Sequence, residues 1–190
     1  EELKTLRRLH TRLQGHPHRE YLPYVDTSSG PLGSGLSQAV GMALADKIDK
    51  KDGDRFIYCF MSDGEMDEGN TWEAMMLAGK NKLNNLIAIV DRNNIQIEGV
   101  TEDVMPLEPF HSKWKSFNWH VIEVSGHDFR YLNEVVEEAQ SMAGKPTVII
   151  AHTIPGKGVK EFERDYKWHG KAPSKEEGEM ALKELKNTRY

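Results

Sequence analysis

Four short stretches of the chain are almost continuously apolar and rich in β-branched or aromatic residues: 55–61 (RFIYCFM), 86–90 (LIAIV), 119–124 (WHVIEV) and 147–151 (TVIIA). Strands buried on both faces of a sheet read this way, because neither face alternates with solvent. The segments between them carry apolar residues at helical spacing instead. In 71–80 (TWEAMMLAGK), Trp72, Met75, Met76 and Gly79 are predicted to share one face. In 128–142, Leu132, Val135, Val136 and Ala139 line one side, with Glu134, Glu137 and Glu138 largely opposite. An earlier helix is predicted over 36–47, preceded by Gly35 and closed by Asp46 and Lys47. Strands alternating with helices predict an α/β fold, a parallel sheet flanked by helices. Ligands of such sheets gather at the carboxyl ends of the strands. That rule directs attention to the loops 62–70, 91–99, 125–128 and 152–169. The stretch from Lys171 onward is rich in Lys and Glu and reads as a solvated terminal helix.

Composition excludes several classes of function. A chain of 190 residues is long enough for one domain with a proper core, and 38% hydrophobic with 29% charged residues suits a soluble globular protein. A formal net charge of −5 offers no clustered basic face for nucleic acid. No apolar run is long enough to cross a bilayer, and the first residues, EELKTLRRLH, are charged. The expected partners therefore include neither nucleic acid nor membrane. The one cysteine, Cys59, sits inside an apolar run and reads as a small buried hydrophobe, consistent with a cytoplasmic setting. Eight scattered histidines show no zinc spacing.

Candidate chemistry lies just past the first two strands. One runs into Ser62-Asp63-Gly64-Glu65, the next into Asp91-Arg92-Asn93-Asn94-Ile95. Neighbouring parallel strands would deliver Asp63 and Asn93 to the same rim. A carboxylate oxygen, an amide oxygen and a backbone carbonyl are hard ligands that suit magnesium and leave positions for water and phosphate oxygens. Gly64 lets backbone approach a phosphate without a Cβ in the way. Asp-Gly after a strand is also a common turn signal, and Asn-Asn is ordinary loop composition.

The pairing of Ser62-Asp63-Gly64 with Asn93-Asn94 resembles the fingerprint of thiamine-diphosphate enzymes, Gly-Asp-Gly followed some way on by Asn-Asn, with Ser62 where the family usually has Gly. Three further stretches resemble the transketolase family within that group. They are Gly15-His16-Pro17, the run from Thr27 through Gly30-Pro31-Leu32-Gly33 to Leu36, and the segment 119–124 followed by Gly126-His127-Asp128. The resemblance implies the family's thiamine-diphosphate-binding fold, of which this chain would be the diphosphate-binding domain over 1–190, lacking the family's first segment. It implies thiamine diphosphate and Mg2+ as cofactors, with Asp63, Asn93 and the Ile95 carbonyl on the metal. Gly64 would pack on the diphosphate, Gly30, Pro31 and Leu32 would meet the cofactor rings, and Glu68 would lie at a subunit interface near the cofactor. His16 and His169 would be the catalytic histidines, hydrogen-bonding substrate, with His169 also reaching the diphosphate. An imidazole can donate or accept for either task.

By the same resemblance, a second, pyrimidine-binding domain supplies the glutamate that activates the cofactor, and no such domain follows Tyr190. The charged ending favours a natural C-terminus and hence a split transketolase. The expected partner is a C-terminal, pyrimidine-binding transketolase subunit, in a heterotetramer acting on sugar phosphates. The expected activity is transfer of a two-carbon ketol unit from a ketose phosphate to an aldose phosphate, by a chain inactive alone. The alternatives are a component of a 2-oxoacid dehydrogenase-like thiamine enzyme, and a non-catalytic cofactor-binding fragment.

Overall fold

Parallel pairing of four strands is the frame on which everything else hangs. A computed structural model describes residues 1–49 and 55–187; the predicted domain span 1–190 thus includes 50–54 and 188–190, which lie outside the described residues. In chain order the elements are helix α1 (Ser34–Ile48), strand β1 (Ile57–Ser62), α2 (Gly69–Asn81), β2 (Leu86–Arg92), the hairpin strands β3 (Ile95–Gln96) and β4 (Gly99–Val100), α3 (Thr101–Val104), α4 (Phe110–Ser116), β5 (His120–Ser125), α5 (Phe129–Ser141), β6 (Thr147–His152) and α6 (Lys175–Asn187). The sheet order is β1-β2-β6-β5, all parallel. The expected α/β architecture is what the chain adopts.

One face of the sheet packs against α1, α2 and α4 through Leu36, Val40, Met61, Met75, Val90 and Trp114. The other is covered by α5, whose Val135 and Ala139 meet Ile122, Val124 and Ile149. The side chain of Asp128 caps α5, accepting the Tyr131 N–H at 3.0 Å. On β1, Tyr58 and Phe60 stay exposed, although the Gln140 amide of α5 donates to the Tyr58 hydroxyl at 2.7 Å. The 1–33 segment contributes a short 3-10 turn (Glu2–Thr5) and irregular turns that lead into α1.

Three expectations shift in detail. The buried face of α2 is Thr71, Ala74, Met75, Ala78 and Gly79, whereas Met76 is 56% exposed and Met75 0%. Adjacent residues on a helix point about 100° apart, so only one of the two methionines can face the sheet. Trp119 is not the first residue of a strand: β5 starts at His120. The indole is instead part of the core, donating to the Met75 carbonyl at 3.0 Å and lying edge-on to Trp114 with ring centroids 4.8 Å apart. The hairpin and the short helices α3 and α4 went unpredicted, because elements this short show no periodicity.

The rotation of α2 is checked by urea unfolding: Met75→Ala is expected to cost about 2–5 kcal/mol and Met76→Ala no more than about 0.5 kcal/mol. Equal losses would put the helix back on the face that its sequence suggests.

Candidate functional site

β1 leaves the core at Ser62 and turns at once. The Ser62 hydroxyl accepts the Glu65 N–H at 3.1 Å, and the Glu65 carboxylate reaches back to the Ser62 N–H at 3.4 Å. This reciprocal pair starts the short turn Gly64–Asp67. A glycine at 62 could not supply the hydroxyl.

Asp63 is 0% exposed, yet it meets polar groups on every side. Its Oδ1 accepts the Gly64 N–H at 2.8 Å; its Oδ2 accepts the Asn94 N–H at 2.7 Å and the Arg92 guanidinium at 3.1 Å. Burial pushes its carboxyl above the ordinary 3.8, while Asn94, Arg92 and Gly64 pull the other way. Arg92 ends β2 and is itself 2% exposed. Its second terminal nitrogen holds Glu102 at 2.7 Å and Glu108 at 3.1 Å. Burial works against the guanidinium charge, but Glu102, Asp63 and Glu108 outweigh it and hold the pKa above its usual value.

Past Arg92 the chain enters the hairpin. The Asn93 amide donates to Asp91 at 3.0 Å, and its Oδ1 accepts the Ile95 N–H at 3.0 Å. The Thr101 N–H bonds the Asn94 carbonyl at 3.0 Å, a single ladder bond, since the Asn94 N–H goes to Asp63 instead. Ile95 and Val100, next in register, are by alternation a non-bonded pair, so the Ile95 carbonyl points away from β4. Beside it opens a pocket of about 300 Å³ walled by Asn93, Ile95, Pro155, Phe162, Trp168 and His169. The Phe162 and Trp168 rings, 4.0 Å apart at their centroids, stiffen its far wall. That wall is tied to the sheet: the Thr153 N–H donates to the Arg92 carbonyl at 3.2 Å, the Thr153 hydroxyl to Asp91, and the Ile154 N–H to His127 Nε2 at 2.8 Å.

The glycine-rich run docks onto the same rim from the other side. Gly30 has φ 139, and a Cβ there would overlap the His16 ring, so ring and glycine backbone are in contact. Gly33, at φ 77, caps the start of α1; a Cβ there would strike the side chain of Asn70 and crowd Glu68. The Gly33 N–H donates to the Glu65 carboxylate at 2.6 Å. Glu65 thus holds the glycine loop and the Asp63 turn together. Gly64 backs onto the Gln96 side chain.

The residues singled out in the sequence fall into two groups joined by Glu65. Asn93, Ile95 and His169 wall one pocket, and Asp63, outside that wall, accepts the N–H groups of Asn94 and Gly64. His16, Gly30, Pro31 and Leu32 lie on the adjoining loops and do not wall that pocket, and Glu68 is exposed next to Gly33. Arg92, Glu65, Thr153 and His127 also build this rim, although the sequence pattern assigns them no role in it. For two of them a signal existed: an arginine closing an apolar strand, and Ser-x-x-Glu at its neighbour's end. Cys59 is buried as expected, its thiol pushed up to about 12 by burial, with Glu65 adding to the effect. Three further histidines pair with carboxylates: His111 and His152 flank Glu123 at 2.8 Å each, and His120 meets Glu138 at 3.1 Å.

A parallel α/β sheet whose strand-end loops gather a buried carboxylate, an amide and a glycine-lined turn belongs to the class of α/β domains whose ligands collect at the carboxyl ends of the strands. The match to known proteins narrows this. Residues 1–187 match the family described as "Transketolase, thiamine diphosphate binding domain". The chain belongs to the transketolase family. Over 185 residues it is 41% identical to one of the subunits of the apulose-4-phosphate transketolase of Actinobacillus succinogenes, covering 97% of this chain and 66% of that protein. It is 39% identical to transketolase 2 of Escherichia coli, covering 97% of this chain and 29% of that one. The crystal structure of Campylobacter jejuni transketolase superposes with a TM-score of 0.88 at 36% identity, over 97% of this chain and 30% of that chain. The chain thus spans less than two thirds of the subunits it matches and under a third of the longer transketolases.

The His127–Ile154 bond carries a pH signature. Burial, helped by Lys157 and opposed by Asp91 and Glu163, holds the His127 pKa below the ordinary 6.5, and the neutral ring it favours is the form that can accept the Ile154 N–H. A depressed histidine contributes stability that is complete above the unfolded value and is lost as pH falls through the folded one. Unfolding free energy is therefore expected to drop below pH 6.5, and His127→Gln to shrink that drop in urea titrations; an unchanged slope would rule it out.

Proposed function

We propose that the chain is the diphosphate-binding subunit of a two-chain transketolase, forming one domain that binds thiamine diphosphate through Mg2+. The observation that carries this is the buried Asp63 carboxylate set against the 93–95 loop, with His169 on the wall of the adjoining pocket. The donor set suits the ion. Among the described residues Asp63 Oδ1 accepts one hydrogen bond, Asn93 Oδ1 accepts one, and the Ile95 carbonyl points out of its hairpin. Each oxygen has a lone pair left, and all three are hard donors. Gly64 would leave room for the diphosphate, and Gly30, Pro31 and Leu32 would pack on the rings. The Glu65–Gly33 bond keeps those two parts in fixed relation. Glu68 sits where a partner could meet it.

When bound, thiamine diphosphate supplies a thiazolium carbon nucleophile and an electron sink for the two-carbon unit. This chain's histidines would bind and orient the sugars. His169 faces the metal-side pocket, and His16 is held by the Gly30 backbone, so each imidazole could donate to or accept from a ketose or aldose hydroxyl. The reaction in this reading is ketol transfer from a ketose phosphate to an aldose phosphate. Activation of the cofactor would fall to a pyrimidine-binding partner chain, in a heterotetramer of two copies of each. The relatives named as single subunits of a transketolase support a division of labour of this kind. No helix among the described residues is long and apolar enough to cross a membrane.

Calorimetry with thiamine diphosphate and Mg2+ tests the ligand set. Asp63→Ala is expected to weaken metal-dependent binding by at least about 100-fold, since outer-shell changes alone cost about 10- to 100-fold. Binding equal to the parent's would remove Asp63 from the metal. A second test concerns the partner: the purified chain alone should show no ketol transfer between xylulose 5-phosphate and ribose 5-phosphate, and activity should appear when the second chain is added. Turnover by the single chain would contradict the two-chain reading.

A further inference from the structure

Arg92 immediately precedes the proposed metal loop, yet its side chain does not face the pocket. It spreads over three carboxylates from three segments: Asp63 after β1, Glu102 in α3 and Glu108 before α4. Two of those are fixed independently of it. Glu102 accepts the Leu107 N–H at 3.0 Å and the Glu108 N–H at 3.4 Å, and Glu108 accepts the Phe110 N–H at 2.7 Å. The Phe110 ring lies 5.6 Å from the guanidinium carbon. Arg92 is therefore anchored from behind, and Asp63 is the group it steadies.

We propose that Arg92 is a positioning residue for Asp63: together with the Asn94 N–H it fills Oδ2, fixing the carboxylate plane and leaving the spare lone pair of Oδ1 for the divalent cation. The inference rests on the magnesium reading above. The carboxylate cannot turn about its bond without losing both Oδ2 partners at once, so Oδ2 is committed to the protein, while Oδ1, which accepts the Gly64 N–H, keeps its second lone pair for the ligand. The planar fork matters as well as the charge, because one guanidinium edge must meet Asp63 while its second terminal nitrogen serves two glutamates. A lysine would bring a point charge to one of the three.

Positioning leaves a mark that mere stability does not. Mg2+ demands near-ideal octahedral ligands, whereas Ca2+ tolerates irregular ones. A loosened Asp63 should therefore penalise Mg2+ more than Ca2+. The test uses the assembled complex of this chain with the subunit that co-purifies with it, thiamine diphosphate held constant, and Mg2+ or Ca2+ titrated by tryptophan fluorescence, Trp168 lying in the pocket wall. Arg92→Met is expected to raise the Mg2+ midpoint by about 10- to 100-fold and the Ca2+ midpoint by clearly less, with Arg92→Lys behaving similarly. Glu102→Gln keeps the buried guanidinium and slackens its anchor. It should shift the Mg2+/Ca2+ ratio the same way by a smaller factor, and it decides the matter should Arg92→Met fail to fold. Equal shifts for both cations, or tighter Mg2+ binding in either variant, would overturn the proposal. Asp63→Asn separates the two levels: if it leaves the parent midpoints intact, the metal reading itself fails, and if it alone weakens binding, only the role of Arg92 is lost.

Discussion

A carboxylate withdrawn from water must be met by donors, and at Asp63 that requirement organises the rim of the sheet. The donors come from three places: its own turn (Gly64), the end of the neighbouring strand (Arg92) and the hairpin beyond it (Asn94). They can converge because β1 and β2 are parallel and in register, with Ser62 opposite Asp91. A slip of one residue would turn Arg92 to the opposite face of the sheet and leave a buried charge unmatched. Strand register and site geometry are thus one constraint.

From there the rim closes on itself through side chains. Asp91 takes Asn93 and Thr153, Arg92 reaches α3 and the turn before α4, and His127 fastens the loop after β6 to the loop after β5. Glu65 adds the glycine-rich run by accepting the Gly33 N–H. Groups that hold one another in this way are set in place before a ligand arrives, which is how a site avoids the cost of ordering its loops on binding. The same rim carries Asp63, Glu65, Asp67 and Glu68 within one turn. An anionic diphosphate reaching such a surface needs a cation between, and the proposed magnesium site answers that need.

Much of this was legible in the residues. The four apolar runs became the four sheet strands, and the loop residues Asp63, Asn93, Ile95 and His169 gather at the carboxyl ends as the α/β pattern implies. The features that the sequence pattern does not show share a cause. Arg92 looks like loop punctuation after LIAIVD until its three carboxylate partners, 29, 10 and 16 residues away, are seen around it. Trp119 reads as a strand residue because indoles favour strands, but it fills the gap under α2 instead.

Local chemistry, then, was determined by the sequence: which stretches bury, which turn, and which loops carry carboxylate and amide oxygens, since each depends on a few adjacent residues. Only the tertiary structure decided that β6 lies between β2 and β5, that Met75 rather than Met76 faces the core, and that Oδ2 of Asp63 is taken while Oδ1 keeps a lone pair. Those outcomes are set by packing and by charge compensation between segments far apart in the chain, and no local pattern encodes them.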